Sequence, residues 1–217
     1  MAGPLDGIRI IDLTQVLAGP FATMLLADQG AEVIKVEPVA VGDLLRATKS
    51  FRKGELTAFA ANNNRGKKSL AVDLRDPAGQ DIVRQLTATA DVFVQNFRPG
   101  VVARLGLDPD ELRAANPRLI TTSISGFGTT GPYSDRPVYD PIIQALTGHI
   151  AMQRTEEGDA PDLIRTVVID KTTAMTAAQA ITAALFARER TGAGQHIEMN
   201  MLDVGTSFFW PDGMMAN

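Results

Sequence analysis

Ile8-Arg9-Ile10-Ile11-Asp12-Leu13, then Val16-Leu17-Ala18-Gly19-Pro20, then Glu32-Val33-Ile34-Lys35-Val36: the reading of this stretch decides the fold. The first segment is short, β-branched and apolar, as a buried strand is. The second reads as a turn, with Pro20 placed to open a helix because its φ is already near the helical value. That helix is expected over residues 21–29, with Phe21, Met24, Leu25 and Leu26 apolar and Gly30 as its stop. The third segment reads as a second strand, broken by Pro38. A strand, a helix and a strand in this order form a β-α-β unit, and its repetition implies a parallel sheet.

The pattern repeats downstream. Further strands are expected at 70–74, 91–95, 119–124 and 196–201. Between them lie a helix at 79–88, with Ile82, Val83 and Leu86 on one face, and short helical pieces at 101–105 and 109–115. A glycine-rich loop follows at 125–132, then a helix at 139–146 and a long alanine-rich helix at 170–190 that ends at Thr191-Gly192-Ala193-Gly194. Five or six strands with intervening helices make an α/β, doubly wound, mostly parallel sheet, which binds ligands at the carboxyl ends of its strands near the topological switch. Residues 40–64 are polar and irregular, a lid-like loop or an extended arm. Residues 1–200 read as one large domain and 201–217 as the start of a linker, where Phe208-Phe209-Trp210-Pro211 forms an apolar cluster of the kind that needs a partner.

Composition narrows the function. The chain has 217 residues, 45% hydrophobic and 21% charged, as an ordinary globular domain has. A net charge of -4 disfavours nucleic acid as a partner. There is no cysteine and there are two histidines, which excludes disulfides, a thiolate nucleophile and zinc–thiolate or histidine-rich sites, so no metal is expected. No apolar run reaches the roughly 18 residues of a membrane span, and residues 1–7 lack the features of a signal peptide. A cytoplasmic enzyme without membrane association is the expectation.

The usual nucleotide signatures are missing. The first strand is not followed by G-x-G-x-x-G, and no P-loop lysine motif or G-x-S-x-G elbow is present. Asn96-Phe97-Arg98-Pro99-Gly100 follows a strand directly, so an adenine stacked on Phe97 with Arg98 or Arg104 on phosphates, or simply a capped turn with surface arginines, would account for it. Asp170 stands at the head of the long helix. There it is either a plain N-cap or a carboxylate nucleophile kept ionised by backbone N–H groups and the helix dipole. Lys171 is either its counter-charge or a solvated side chain. Asp140 reads as an N-cap with Tyr139 packing beside it, and His149 as an incidental histidine. Gly126, Gly128 and Gly131 either supply unusual backbone angles or allow a thioester close to the backbone.

Taken together, several segments resemble one family. They are Leu5-Asp6-Gly7-Ile8-Arg9-Ile10-Ile11-Asp12 leading to Val16-Leu17-Ala18-Gly19-Pro20, Gly30-Ala31-Glu32-Val33-Ile34-Lys35-Val36-Glu37 with Gly42-Asp43, Asn64-Arg65-Gly66-Lys67-Lys68-Ser69, Asn96-Phe97-Arg98-Pro99-Gly100, and Arg190-Thr191-Gly192-Ala193-Gly194-Gln195. In this set, and in this order, the chain resembles the N-terminal part of the class III CoA-transferases, the family of formyl-CoA transferase, carnitine–CoA transferase and α-methylacyl-CoA racemase.

The resemblance implies a Rossmann-like large domain, an interlocked homodimer or association with a C-terminal half, and a smaller second domain beyond this chain. It implies transfer of CoA from an acyl-CoA thioester to a carboxylic acid acceptor through an aspartyl intermediate, with no permanently bound cofactor. The family's aspartate matches Asp170. Its CoA contacts fall on Val16, Ala18, Val72, Arg75, Asn96, Phe97, Val101, Arg104 and Leu105, with Arg75 and Arg104 on phosphates and Val72, Val101 and Leu105 around the adenine. Tyr139, the second catalytic candidate, stands where the racemase branch carries a histidine. A phenol with a reference pKa of about 10 abstracts a proton poorly near neutrality, which disfavours racemisation. The alternatives are an acyl-CoA racemase or isomerase, a truncated CoA-binding module without catalysis, and a generic nucleotide-binding domain.

Overall fold

The computed structural model describes residues 2–48, 51–54, 56–154 and 160–215. In chain order, β1 (Arg9–Asp12), α1 (Ala18–Asp28) and β2 (Glu32–Glu37) are followed by a small hairpin, β3 (Arg52–Lys53) and β4 (Leu56–Thr57). Then come α2 (Ala58–Asn64), β5 (Lys68–Ala71), α3 (Pro77–Thr87), β6 (Val92–Gln95), α4 (Val101–Arg104) and α5 (Pro109–Ala115). The chain continues through β7 (Ile120–Ser125), α6 (Asp140–Leu146), α7 (Val168–Thr191), β8 (His196–Asn200) and α8 (Met201–Met215). Six strands form one sheet in the order β5-β2-β1-β6-β7-β8, every adjacent pair parallel. The chain winds outward in one direction from β1 and returns in the other from β6, so the topological switch lies between those two strands.

Strand alternation explains the two-layer core. Ile10, Val92, Val94 and Ile120 face one side and pack with Ala22 and Leu26 of α1 and Ala174, Ala177 and Ile181 of α7. Ile11, Phe93 and Leu119 face the other side, with Val83 of α3, Val102 of α4 and Leu112 of α5. The alanines of α7 let this 24-residue helix lie close against α1. It ends where the glycines predicted, with Gly192 in the left-handed region at φ 76°.

Two expectations change, and the expected linker acquires a secondary structure. Residues 40–64 are not an open loop: the described part holds a 3-10 turn at Leu44–Ala47, the hairpin and α2, while 49, 50 and 55 lie outside the described residues. Thr57 caps α2 by accepting from the Ala60 N–H at 3.1 Å. On α3, Val83 is buried but Ile82 is 44% exposed, so the face toward the sheet is narrower than the apolar pattern implied. The stretch 201–217, read as a linker, is helical over Met201–Met215, with 216 and 217 outside the described residues. Phe209 of α8 packs against the buried His149 at a centroid distance of 5.0 Å.

A buried ionic network fixes the segment after β1. Asp12, fully buried, accepts from the Thr14 N–H at 2.9 Å, the Thr23 hydroxyl at 2.7 Å and Lys67 Nζ at 2.9 Å. Burial works against its charge, but Lys67 and Lys35 together with these donors hold its carboxyl well below the usual carboxylate range. Lys35 Nζ donates to the Thr14 carbonyl at 2.7 Å and lies 2.9 Å from Asp43 Oδ2. The variant Lys67→Met would leave Asp12 buried beside a weaker charge balance. We expect it to lose about 3–5 kcal/mol of stability at neutral pH, and less in acid, where Asp12 takes a proton. Chemical denaturation across pH checks this, and a loss independent of pH would contradict it.

Candidate active site

The loops leaving β1 and β6 meet at the switch point and are clamped together. The Gln15 N–H donates to Asn96 Oδ1 at 2.8 Å, and Asn96 Nδ2 donates back to the Gln15 carbonyl at 2.8 Å. Next to this clamp Val16 adopts φ 69°, a conformation that β-branched residues avoid. Its N–H is held by Asp43 Oδ1 at 3.2 Å, and the same oxygen caps the 3-10 turn through the Leu45 N–H at 2.9 Å. On the other loop, Gln95 Oε1 accepts the Phe97 N–H at 2.8 Å and sets that ring at the strand end.

A cleft of about 210 Å³ opens over these loops, lined by both of them, by the start of the glycine loop, by Ser134 and residues 136–139 and by Asp170. Gly126 borders it, and a Cβ there would fall 1.9 Å from Val138 Cγ1, so the residue is glycine for close packing of the loop on itself. Gly128 instead supplies a left-handed backbone at φ 82°.

Asp170 is not an N-cap, because α7 begins at Val168 and no side chain caps it through Val167. Asp170 lies in the first turn. Its N–H donates to Asp140 Oδ2 at 2.9 Å. Asp140 is the first residue of α6, so its carboxylate caps α7 rather than its own helix. Asp140 is itself buried and accepts from Gln144 Nε2, and Gln144 in turn grips Ile164 through both its carbonyl and its N–H at 3.1 and 3.0 Å. This runs against the reading in which backbone N–H groups and the helix dipole favour the ionised form of Asp170. Burial first, and the Asp140 charge second, push its carboxyl up from 3.8 to about 7. The helix dipole opposes this shift, but two carboxylates share a poorly solvated place.

The predicted contact residues divide into groups. Val16, Ala18, Asn96 and Phe97 line the cleft with Tyr139 and Asp170. Val72, Arg75 and Leu105 line a second cleft of about 430 Å³ between the β2 and β5 ends, and Gln15 and Phe97 border both. Val101 and Arg104 line neither and lie on α4 beside them. Arg75 is ion-paired with Asp73 at 2.8 Å. Tyr139 is 66% exposed at the cleft wall. Sequence reasoning missed Gln15, Arg136 and the capping role of Asp140. Gln15 was within reach, since the switch-point rule directs attention to the loop after the first strand. The other two depend on contacts between segments far apart in the chain.

The raised carboxyl has a signature in stability. An unfolded aspartate titrates near 3.8, so between that pH and about 7 the folded chain holds a proton that the unfolded chain has lost. Stability therefore falls as pH rises through this window. Asp170→Asn removes the slope, and we expect it to be more stable than the parent above pH 7 by on the order of 2–4 kcal/mol, with little difference in acid. Thermal melts of both proteins across pH check this, and parallel curves would contradict it.

Comparison with known proteins follows the same lines. The profile of CoA-transferase family III matches residues 5–216. Acetyl-CoA:oxalate CoA-transferase of Acetobacter aceti is 42% identical over 214 residues, which cover 99% of this chain and 54% of that protein. Succinate–glutarate CoA-transferase of Agrobacterium fabrum is 45% identical over 207 residues, covering 93% and 52%. The chain thus spans about half the length of these curated relatives. Among solved structures, a CAIB/BAIF family protein from Brucella suis superposes with a TM-score of 0.92 at 39% identity, over 99% of this chain and 57% of that one. With a doubly wound sheet, a carboxylate at the mouth of its switch point and a profile match from end to end, the chain belongs to CoA-transferase family III.

Proposed function

We propose that this chain carries the CoA-binding face and the nucleophile of an enzyme that moves CoA from an acyl-CoA thioester to a carboxylic acid. The observation that supports it best is the placement of Asp170 in the switch-point cleft, next to a second, more apolar cleft with which it shares Gln15 and Phe97. An extended thioester fits this arrangement, with its adenine among Val72, Leu105 and Phe97 and its acyl end at Asp170. Arg104 has no ion pair among the described residues and suits a phosphate, whereas Arg75 would first have to exchange Asp73 for it. The working assembly is an interlocked homodimer or a complex with a C-terminal half, in a cytoplasmic setting that matches acyl-CoA substrates.

In this reading the ionised Asp170 attacks the thioester carbonyl, forming a mixed anhydride and expelling CoA thiolate. The thiolate attacks the aspartyl carbonyl, which gives an aspartyl-CoA thioester and releases the donor acid. The acceptor carboxylate then displaces the thiolate, and the thiolate closes the cycle on the acceptor's acyl carbon, restoring Asp170. Burial beside Asp140 favours this course. It raises the basicity of the Asp170 carboxylate, and the covalent adducts are neutral where the free carboxylate is not, so the cost of a second buried charge is relieved as the bond forms. Neither histidine lines the cleft, so the residues there supply no imidazole for racemisation.

Incubation with an acyl-CoA and hydroxylamine tests the proposal. Mass spectrometry should locate a hydroxamate on Asp170, absent in Asp170→Asn. With acyl-CoA limiting, its rate of formation should fall about tenfold per pH unit below the Asp170 pKa of about 7. Modification elsewhere, or none in the presence of tightly bound CoA, would refute the nucleophile.

A further inference from the structure

The cleft that holds Asp170 is also lined by two arginines with no carboxylate partner among the described residues. Most arginines here are paired: Arg9 with Glu32, Arg46 with Glu37, Arg65 with Asp28, Arg84 with Asp81, Arg113 with Asp110 and Arg188 with Asp91. Arg98 and Arg136, both exposed and both lining the cleft, make no ion pair among the described residues. They differ in how they are held. Arg98 sits on the β6 loop between Phe97 and Pro99, whereas the Arg136 guanidinium lies over the Tyr133 ring at 4.4 Å. Tyr133 packs edge-on against Phe127 at 5.4 Å, and Phe127 joins the cluster of Ile143 and Ile169 at the starts of α6 and α7. The Arg136 N–H is bonded to the Tyr133 carbonyl at 2.9 Å, closing this turn. Arg136 is therefore braced, through two rings, against the helices that carry Asp140 and Asp170.

The charge balance says what such a group is for. Asp140 and Asp170 burden the site with two carboxylates, so an approaching acid meets repulsion unless a cation faces it. The reacting carboxylate of the acceptor cannot keep that cation as its lasting partner, since it becomes a neutral anhydride and then a thioester. A cation held at the wall, apart from the reacting aspartate, suits a carboxylate that stays ionised throughout. Arg is the residue that recognises such a group in a planar, two-point fashion.

Resting on the CoA-transfer reading above, we infer that Arg136 is a specificity residue that holds the spectator carboxylate of a dicarboxylic acid acceptor. Replacing it weakens dicarboxylates selectively. A monoester of the same acid loses the spectator charge and gains nothing from Arg136.

Calorimetric titration with glutarate and with monomethyl glutarate, in the presence of saturating CoA, decides the matter without turnover. The parent protein should bind glutarate at least tenfold more tightly than the ester. Arg136→Met should abolish that preference while leaving the ester's affinity unchanged, and Arg136→Lys should restore part of it. Arg136 is exposed, so these variants leave the core intact, and equal melting temperatures confirm it. Equal binding of acid and ester by the parent, a preference that survives in Arg136→Met, or one lost in Arg98→Met instead would each overturn the assignment. The hydroxamate on Asp170 decides the CoA-transfer reading separately: a trapped adduct without dicarboxylate preference sinks only Arg136, and a preference without any adduct sinks only the transfer chemistry.

Discussion

The ion pair between Lys35 and Asp43 is the constraint on which the site depends. Both side chains are almost wholly inaccessible, at 2% and 0% exposure. Bringing the two charges out of water offsets most of their attraction, so the pair's importance lies in what it orders. Lys35 belongs to β2 and also grips the Thr14 carbonyl, while Asp43 reaches Val16 and Leu45. One buried pair thus ties the second strand, the loop after the first strand and the segment after Pro38 into a single arrangement. The same pair, through Asp43, holds the N–H of Val16 at its positive φ, next to the clamp between Gln15 and Asn96 across the switch.

A second pattern of buried charge sits across the cleft and has the opposite character. Asp12 is surrounded by cations and hydroxyls and is held ionised. The Asp170 carboxyl is raised by burial and by its neighbour Asp140, another carboxylate, which caps the helix that carries it. The first arrangement stabilises structure, and the second stores a carboxyl poised to change state near neutrality. The same residue type plays both parts, and only the surroundings differ. Perturbed groups of the second kind gather where chemistry is done.

Much of the fold was legible in the chain. β-branched runs, the stops at Gly30 and Gly192 and the apolar alternation of β1 and β6 are local signals, and local signals survive into the structure because strand and helix periods set which side chains share a face. The place of the site was legible too, since a doubly wound sheet puts ligands at the switch. Residues 40–64 were misread for a physical reason. Their order comes from caps at Asp43 and Thr57 and from the buried partner Lys35, not from any apolar period.

The sequence by itself determined the α/β class and the parallel character of the sheet, because these rest on spacing along the chain, while the resemblance of its segments pointed to the family and to Asp170 as the candidate. Only the tertiary structure decided the state of that carboxyl and the company it keeps. Asp140 is 30 residues before Asp170, and the two meet because α6 and α7 start side by side. Arg136 takes its place over the Tyr133 ring, which packs on Phe127, and makes no ion pair among the described residues. Charges act through space and not along the chain, so a pKa and a binding preference are properties of the packed fold.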